Sequence, residues 1–327
     1  MAVIVTGAAG FIGMHVAERL LARGESVVGV DSFNAYYDPT LKEARAARLV
    51  AHPAFRLVRL DIADAPALQD VFAEARADRV VHLAAQAGVR YSIEQPFAYE
   101  AANLKGHLSV LEACRRTAGL RHLVYASSSS VYGDRPLGDR GFAEADPVDA
   151  PVSLYAATKR AGELMSASYA HLYGIPQSGL RFFTVYGPWG RPDMAYYSFT
   201  DKLLAGQSIP VFGAGQMARD FTYVDDVVDG VLGVLDQPPP SREPRILNLG
   251  GNHPHGLLEM IQLLEAAVGV PARMELLPMQ AGDVSSTYAD ISRIQALSGY
   301  APKVPLAEGL RRFVAWRRGY GERLGRG

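Results

Sequence analysis

The sequence predicts an α/β protein, a doubly wound parallel sheet with a smaller mixed α/β cap. Three observations predict it. Short β-branched runs alternate with helical patterns through the first half of the chain; a glycine-rich turn joins the first strand to the first helix; and the alternation weakens after Pro176. Strand–helix–strand order demands crossover connections, and these produce parallel strands with helices on both faces.

The strands are Val3–Thr6, Ser26–Asp31, Phe55–Leu60, Arg79–Leu83 and Arg121–Ser127, short apolar runs of the kind buried on both faces. Phe11–Arg23, Ala67–Ala77 and Phe97–Thr117 read as the crossover helices. Gly133–Pro151 is rich in Gly, Pro and Asp and reads as a surface loop. A long helix follows from Ser153 to Tyr173. Beyond Pro176, short strands (Ile209–Phe212, Phe221–Val224, Ile246–Leu249) mix with helices up to Trp316–Tyr320, and Pro238–Pro240 marks a turn. The expected division is a sheet domain over 1–180, with a segment at about 224–250 returning to it, and a cap built from 181–223 and 251–327.

Composition narrows the function classes. A chain of 327 residues, 49% hydrophobic, buries a core without staples. Its 33 Lys and Arg against 34 Asp and Glu leave a net charge of −1, so no broad field attracts nucleic acid or an anionic membrane. An anionic ligand must be held by local cations and backbone amides. No apolar run reaches the roughly 18 residues that cross a bilayer. The chain enters its first strand with no leader, so cytoplasmic residence and no membrane partner are expected. A single cysteine, Cys114, excludes an intrachain disulfide, and with no Cys/His cluster no metal is expected. Its helical pattern makes Cys114 a core position.

The chemistry-bearing motifs follow the strands. Thr6-Gly7-Ala-Ala-Gly10-Phe11-Ile12-Gly13 opens the first helix. Gly7 permits the tight turn, Gly10 lets the backbone approach a pyrophosphate, and Gly13 lets helix and sheet pack closely. The helix start, with Phe11 and Ile12, offers N–H groups and a positive dipole to phosphates. This is the Rossmann-type signature of dinucleotide binding. Asp31, ending the second strand, can accept from both ribose hydroxyls and would repel a 2′-phosphate. The loop Ser32–Asp38, containing Asn34, has no Arg or Lys, which favours NAD over NADP. Asp61 and Ile62 end the third strand near the adenine edge, while Asp64 reads as a helix N-cap.

Tyr155 and Lys159 are spaced i, i+4 and share one helix face. A cation near a phenol favours the phenolate, giving a base for a hydroxyl proton near neutral pH. Ser127, Ser128, Ser129 and Ser130 end the fifth strand, where parallel-sheet ligand sites lie.

Together these features resemble the extended short-chain dehydrogenase/reductase family. Within it the chain most closely resembles the UDP-glucuronate 4-epimerases. The matching pieces are Asp31-Ser-Phe-Asn-Ala-Tyr-Tyr-Asp38, Ala84-Ala-Gln-Ala-Gly-Val-Arg-Tyr-Ser92, Ala126-Ser-Ser-Ser-Ser-Val-Tyr-Gly133, Arg181-Phe-Phe-Thr-Val-Tyr-Gly-Pro-Trp-Gly-Arg-Pro-Asp-Met194, Arg219-Asp-Phe-Thr-Tyr-Val-Asp-Asp226 and Pro278-Met-Gln-Ala-Gly-Asp-Val284. The resemblance implies a tightly held NAD, a UDP-sugar substrate and a homodimer through helices such as Phe97–Thr117 and Ser153–Tyr173. It makes Tyr155 the base at the sugar 4-hydroxyl, Ser128 a hydrogen-bond partner of that hydroxyl, and Lys159 a ligand of the nicotinamide ribose. Leu83, Ala84, Ala85 and Asn103 join the cofactor site on the same ground.

A 4-keto glucuronate is a β-keto acid and loses carbon dioxide easily, so its carboxylate must be held. Arg191 can grip it as a bidentate fork, with Ser129 and Ser130 adding donors. By resemblance Arg219 grips the diphosphate, Val211, Phe212 and Asp283 belong to the uracil and ribose pockets, and Thr184 contacts sugar or diphosphate. Related decarboxylases and dehydratases carry an acid where this chain has Ser128–Ser130, which favours simple epimerisation. The rivals are a neutral UDP-hexose 4-epimerase, a UDP-glucuronate decarboxylase and a non-catalytic NAD-sensing regulator. Trp189 and Trp316 read as packing, and Arg90 has no partner legible in the sequence.

Overall fold

The computed structural model describes residues 2–135, 140–279 and 282–323. Parts of two expected segments, the Gly133–Pro151 loop and the Pro278–Val284 match, lie outside the described residues.

The first five strands are β1 (Ala2–Thr6), β2 (Ser26–Asp31), β3 (Phe55–Arg59), β4 (Arg79–His82) and β5 (His122–Ser128). They are joined by α1 (Phe11–Ala22), α2 (Thr40–Val50), α3 (Ala65–Ala75), the single turns α4 (Tyr91–Glu94) and α5 (Pro96–Tyr99), and α6 (Gly106–Arg116). After α7 (Leu154–Tyr173), β6 (Gln177–Phe182) joins the same sheet. The remaining strands are β7 (Thr184–Tyr186), β8 (Ile209–Phe212), β9 (Ala218–Tyr223), β10 (Arg245–Leu249), β11 (Pro254–Gly256) and β12 (Met274–Leu277). They alternate with α8 (Ala195–Leu204), α9 (Val224–Leu235), α10 (Leu257–Val268), α11 (Ser292–Ser298) and α12 (Leu306–Arg323).

The main sheet runs β10-β6-β5-β4-β1-β2-β3, and every neighbour pair is parallel. Its order reverses between β1 and β4, so the crossovers diverge there and leave a crevice at the strands' carboxyl ends. Successive side chains go to opposite faces. Val3 and Val5 enter one core with α1, α9 and α10, while Ile4 enters the other with α3 and α6. Two small sheets, β11-β9-β7 and β12-β8, stand beyond that crevice.

Two departures from the sequence reading have physical causes. Helix α2 was not anticipated. Its buried face holds Lys42 and Arg45 beside Leu41, Ala46 and Leu49, and the two cations interrupt the apolar stripe. Arg45 is wholly buried and donates to the carbonyls of Trp189 and Gly190, to that of Ala9 and to the Tyr37 hydroxyl. Second, Phe97–Thr117 is not one α-helix. A π-helical stretch, Glu100–Lys105, separates α5 from α6. Such bulges aim side chains that an α-helix would turn elsewhere, and they are frequent at functional sites. Strand Phe221–Val224 starts earlier, at Ala218, and Val224 opens α9. Asp64 does cap α3, accepting from Ala67 N at 3.2 Å, and Cys114 is buried.

One buried ion pair fixes α7 against the sheet. Arg181 of β6 donates Nε to Glu163 Oε1 at 2.8 Å and Nη2 to Oε2 at 2.9 Å, with side chains 3% and 1% exposed. Ser127 of β5 donates to the same carboxylate at 2.6 Å. Replacing Glu163 with Gln leaves Arg181 buried without a counter-charge. The expected loss is about 3–5 kcal/mol of unfolding free energy, measured by urea denaturation; a loss below about 1 kcal/mol would mean that the pair does not hold the helix.

Candidate active site

A cavity of about 430 Å³ opens at the carboxyl ends of β1, β2, β4, β5 and β6, within the usual size of a small-molecule site. It gathers most of the residues singled out above. Gly7, Gly10, Phe11, Ile12, Gly13, Asp31, Asn34, Asp61, Ile62, Leu83, Ala84 and Ala85 line one end. Ser128, Ser129, Ser130, Tyr155, Lys159, Thr184 and Arg191 line the other.

The glycine-rich end fits a dinucleotide. Gly7 has φ +72, and a Cβ on Gly13 would lie 2.0 Å from Gly7 O, so neither position tolerates a side chain. Helix α1 starts without a side-chain cap, leaving its first-turn N–H groups for phosphate oxygens. Asp31 accepts from Ala9 N at 3.0 Å and Phe33 N at 2.9 Å, which aims its carboxylate into the ribose end. Asp61 accepts locally from Ala63 N.

The loop Ser32–Asp38 holds no Arg or Lys, but a cation reaches this end of the cavity from outside it. Lys42 of the unanticipated α2 lines the cavity, donating to Asn34 O at 2.7 Å and Asn34 Oδ1 at 2.6 Å. Burial lowers its pKa. The preference for NAD therefore rests on Asp31, not on an absence of positive charge.

At the other end, α7 begins at its N-cap Ser153, whose hydroxyl accepts from Ala156 N. The first turn places Tyr155 in the cavity, and Lys159 follows one turn on. Burial raises the Tyr155 phenol, partly offset by Ser128 and by the charge of Arg191. Burial also brings the Lys159 ammonium down to about 8. Lys159 donates to Ala126 O at 2.9 Å, so the lysine is anchored to β5. Behind it, His82 and His107 stack at 5.2 Å, and burial lowers the pKa of both imidazoles, that of His107 to about 3.

Asn103 lies outside the large cavity. The π-helical stretch turns it onto Gln86, accepting from its N–H at 2.8 Å and donating to its carbonyl at 3.0 Å and to Thr158 Oγ1 at 3.0 Å. It thus ties the cavity strand end to α7 and lines a small adjoining pocket with Ala84, Ala126 and Lys159.

Val211, Phe212, Arg219 and Asp283 also stand outside that lining. Val211 is fully buried. Arg219 donates to the carbonyls of Ala218, Val284 and Ser285. Arg90, without a legible partner in the sequence, pairs with Asp283 at 3.1 Å and lies over the Phe212 ring at 5.3 Å. The Asp283 loop abuts the cavity, since Gly282 packs against Val89 of its wall. Trp189 and Trp316 pack on each other at 5.2 Å.

Sequence reasoning missed Tyr36, Lys42, Gln86 and Met194 of the cavity wall, and Asp193 beside it. Arg191 is already engaged. Its Nε and Nη2 donate to Asp193 Oδ1 at 3.1 Å and Oδ2 at 2.7 Å. Asp193 was quoted in a motif, but nothing in its spacing announces a fork two residues away. Among the described residues no group of three His, Cys, Asp or Glu could hold a metal ion, and no helix is long and apolar enough to cross a membrane.

Sheet order, glycine-rich crossing and crevice define the class, a Rossmann-type dinucleotide fold. The chain belongs to the NAD dependent epimerase/dehydratase family, whose profile matches residues 3–250. It is 46% identical to a probable UDP-glucuronate 4-epimerase of Rhizobium meliloti (strain 1021), over 97% of this chain and 96% of the relative. It is similar in structure to the UDP-glucuronic acid 4-epimerase of Bacillus cereus solved with UDP-glucuronic acid and NAD (TM-score 0.89, 35% identity, 98% of this chain and 100% of that one). A UDP-glucose 4-epimerase of Thermotoga maritima, solved with UDP-glucose, is similar at TM-score 0.88 and 28% identity, over 98% of this chain and 99% of that one.

Lys159 gives the site a pH signature. Below about pH 8 the buried side chain is an ammonium and above that it is neutral, so support of the Tyr155 phenol by this charge is expected to be lost as pH rises. Turnover is expected to fall on the alkaline side with an apparent pKa near 8. Lys159→Met is expected to remove that limb and lower kcat by about 10²–10⁴-fold. A wild-type profile flat from pH 7 to 9.5 would contradict it.

Proposed function

We propose that the protein interconverts UDP-glucuronate and UDP-galacturonate by inversion at C4 of the sugar, with NAD held through the turnover. Bound NAD supplies a reversible hydride acceptor. The chain's residues do the rest. Tyr155 takes the proton from the 4-hydroxyl, and Ser128 holds that oxygen. Lys159 stabilises the phenolate. The 4-keto sugar rotates, takes hydride on its other face, and recovers its proton from Tyr155. Arg191, Ser129 and Ser130 hold the carboxylate so that its C–C bond does not align with the ketone. Thr184 contacts the sugar end, while Val211, Phe212, Arg219 and Asp283 serve the UDP end. Asp31 holds the adenosine ribose, and Gly7, Gly10 and Gly13 admit the diphosphate.

The carrying observation is the wall of Ser128–Ser130 and Arg191 beside Tyr155, with no acid in the serine segment. The nearby acid, Asp193, does not supply one. Burial by itself would raise its carboxyl, but the charge and hydrogen bonds of Arg191 and the Tyr36 hydroxyl bring it below its ordinary value. An ionised carboxylate donates no proton, so the additional proton transfers of dehydration lack their acid. A neutral hexose would offer Arg191, Ser129 and Ser130 no carboxylate to hold.

The same reading divides the chain into a sheet domain, 1–180 with about 224–250 returning, and a cap of 181–223 and 251–327. It also places the protein in the cytoplasm as a homodimer. Phe97, Leu108, Leu164 and Leu172 are exposed large apolar side chains on α5, α6 and α7, a face that a second copy would cover. Light scattering is expected to give twice the 35.3 kDa chain mass, and Leu164→Glu to give the single mass.

Incubating the purified protein with UDP-glucuronate, without added NAD, tests the reaction. A product of unchanged mass that co-elutes with UDP-galacturonate is expected, and Tyr155→Phe is expected to lose it. A UDP-pentose would mean that the carboxylate escapes Arg191. No product with biological activity intact in the variant would make the chain a sensor.

A further inference from the structure

The fork of Arg191 is closed by the protein's own carboxylate. Nη2 is common to both bidentate edges of a guanidinium, and here it donates to Asp193 Oδ2 at 2.7 Å while Nε donates to Oδ1. The second Nη2 hydrogen faces Met194 Sδ at 3.8 Å, so a second carboxylate reaches the remaining Nη1/Nη2 edge only by displacing that thioether and by lying beside the Asp193 carboxylate. It cannot approach without meeting a like charge. The two side chains are 23% and 28% exposed, so solvent screens that repulsion only in part.

Asp193 has a second partner. The Tyr36 hydroxyl donates to the same Oδ2 at 3.1 Å. Tyr36 is itself fixed. Its ring lies 4.6 Å from that of Tyr91, and its hydroxyl sits over Gly88, where φ is +103 and a Cβ would come within 2.6 Å of it. When Asp193 leaves Arg191, Tyr36 remains to hold it.

We infer that Asp193 determines substrate selectivity by standing in for the substrate's carboxylate on Arg191, and that Tyr36 is its alternative partner when a uronate displaces it. The inference rests on the uronate reading above. Without substrate, Asp193 compensates a half-buried cation that would otherwise stand unpaired. A uronate brings an equivalent anion and exchanges for it. A neutral hexose brings a hydroxymethyl group, which cannot replace an ion pair, so the fork stays closed and contributes nothing to its binding. Only a uronate gains the fork, and Asp193 limits that gain, because displacing it weakens uronate binding relative to an open fork while hexose binding is unaffected.

The test is the ratio of dissociation constants, UDP-glucuronate over UDP-glucose, measured by calorimetry on the NAD-loaded protein. Asp193→Asn keeps the shape and removes the competing charge. It is expected to lower the ratio about tenfold, the order of one screened charge interaction. Tyr36→Phe leaves Asp193 with Arg191 alone and is expected to raise the ratio. These opposite signs separate exchange from a strut role, since a strut that orients Arg191 would raise the ratio in both variants. A rise in Asp193→Asn, equal signs, or an unchanged ratio in both overturns the inference while the functional reading stands. A wild type that binds no UDP-glucuronate overturns both. Far-UV circular dichroism and retained NAD establish that each variant is folded.

Discussion

The arrangement of the site depends on the buried pair of Arg181 and Glu163. Tyr155 and Lys159 sit on α7 and the serines on the end of β5, and nothing in an isolated helix or strand sets their relative register. Glu163 lies one turn beyond Lys159 and is gripped from β6 by Arg181 and from β5 by Ser127. Three elements are thereby pinned at one carboxylate. Tyr132 carries the connection further, taking a bond from Arg181 and donating to Asn248 of β10. A hydrophobic contact would tolerate sliding by an ångström; a bidentate ion pair does not. The direction of Lys159 toward Ala126 O follows from that register.

A second connection joins the two ends of the cavity. Arg45 reaches from α2 to Ala9 in the glycine-rich turn and to Trp189 and Gly190 in the segment that leads into Arg191. Its partners are carbonyl oxygens and the Tyr37 hydroxyl, so it acts as a rigid multi-point donor. Trp189 adopts φ +64, an unusual conformation for a bulky residue, and its carbonyl is turned toward that guanidinium. The turn under the cofactor and the loop bearing Arg191 are thus built against one another, and Asp193 and Tyr36 complete the circuit through the loop after β2.

Much of this was legible in the sequence, because parallel-sheet proteins announce their strands as apolar runs and their crossings as glycines. Strands β1 to β5 and helices α1 and α7 lie within a few residues of expectation, and the glycine-rich turn, Asp31, the serines and the Tyr–Lys pair converge on one cavity. What escaped was written in polar residues with buried partners. Strand β6 carries Gln177, Ser178 and Arg181, all buried, and α2 carries Lys42 and Arg45. Each breaks the apolar period that sequence reading relies on. The π-helical stretch escaped for another reason, since its residues fit an α-helix equally well. Arg90 with Asp283, and Arg191 with Asp193, are pairings that only the folded loops define.

The two ends of the Tyr–Lys pair respond to the same force in opposite directions. Burial raises the phenol and lowers the ammonium, so by itself it favours the neutral form of each. A base strong enough to act, and charged enough to need support, is therefore not a standing property of the fold. The local cations oppose burial: Arg191 already lowers the Tyr155 phenol, while Asp193, by its charge, raises it. In our reading the substrate's carboxylate takes the place of Asp193 on Arg191, so the charge balance around Tyr155 is kept as the sugar arrives. A neutral sugar leaves Asp193 in place and a hydroxymethyl group facing a spent guanidinium. The same pair of side chains therefore links recognition of the sugar acid to the electrostatics of the group that removes its proton.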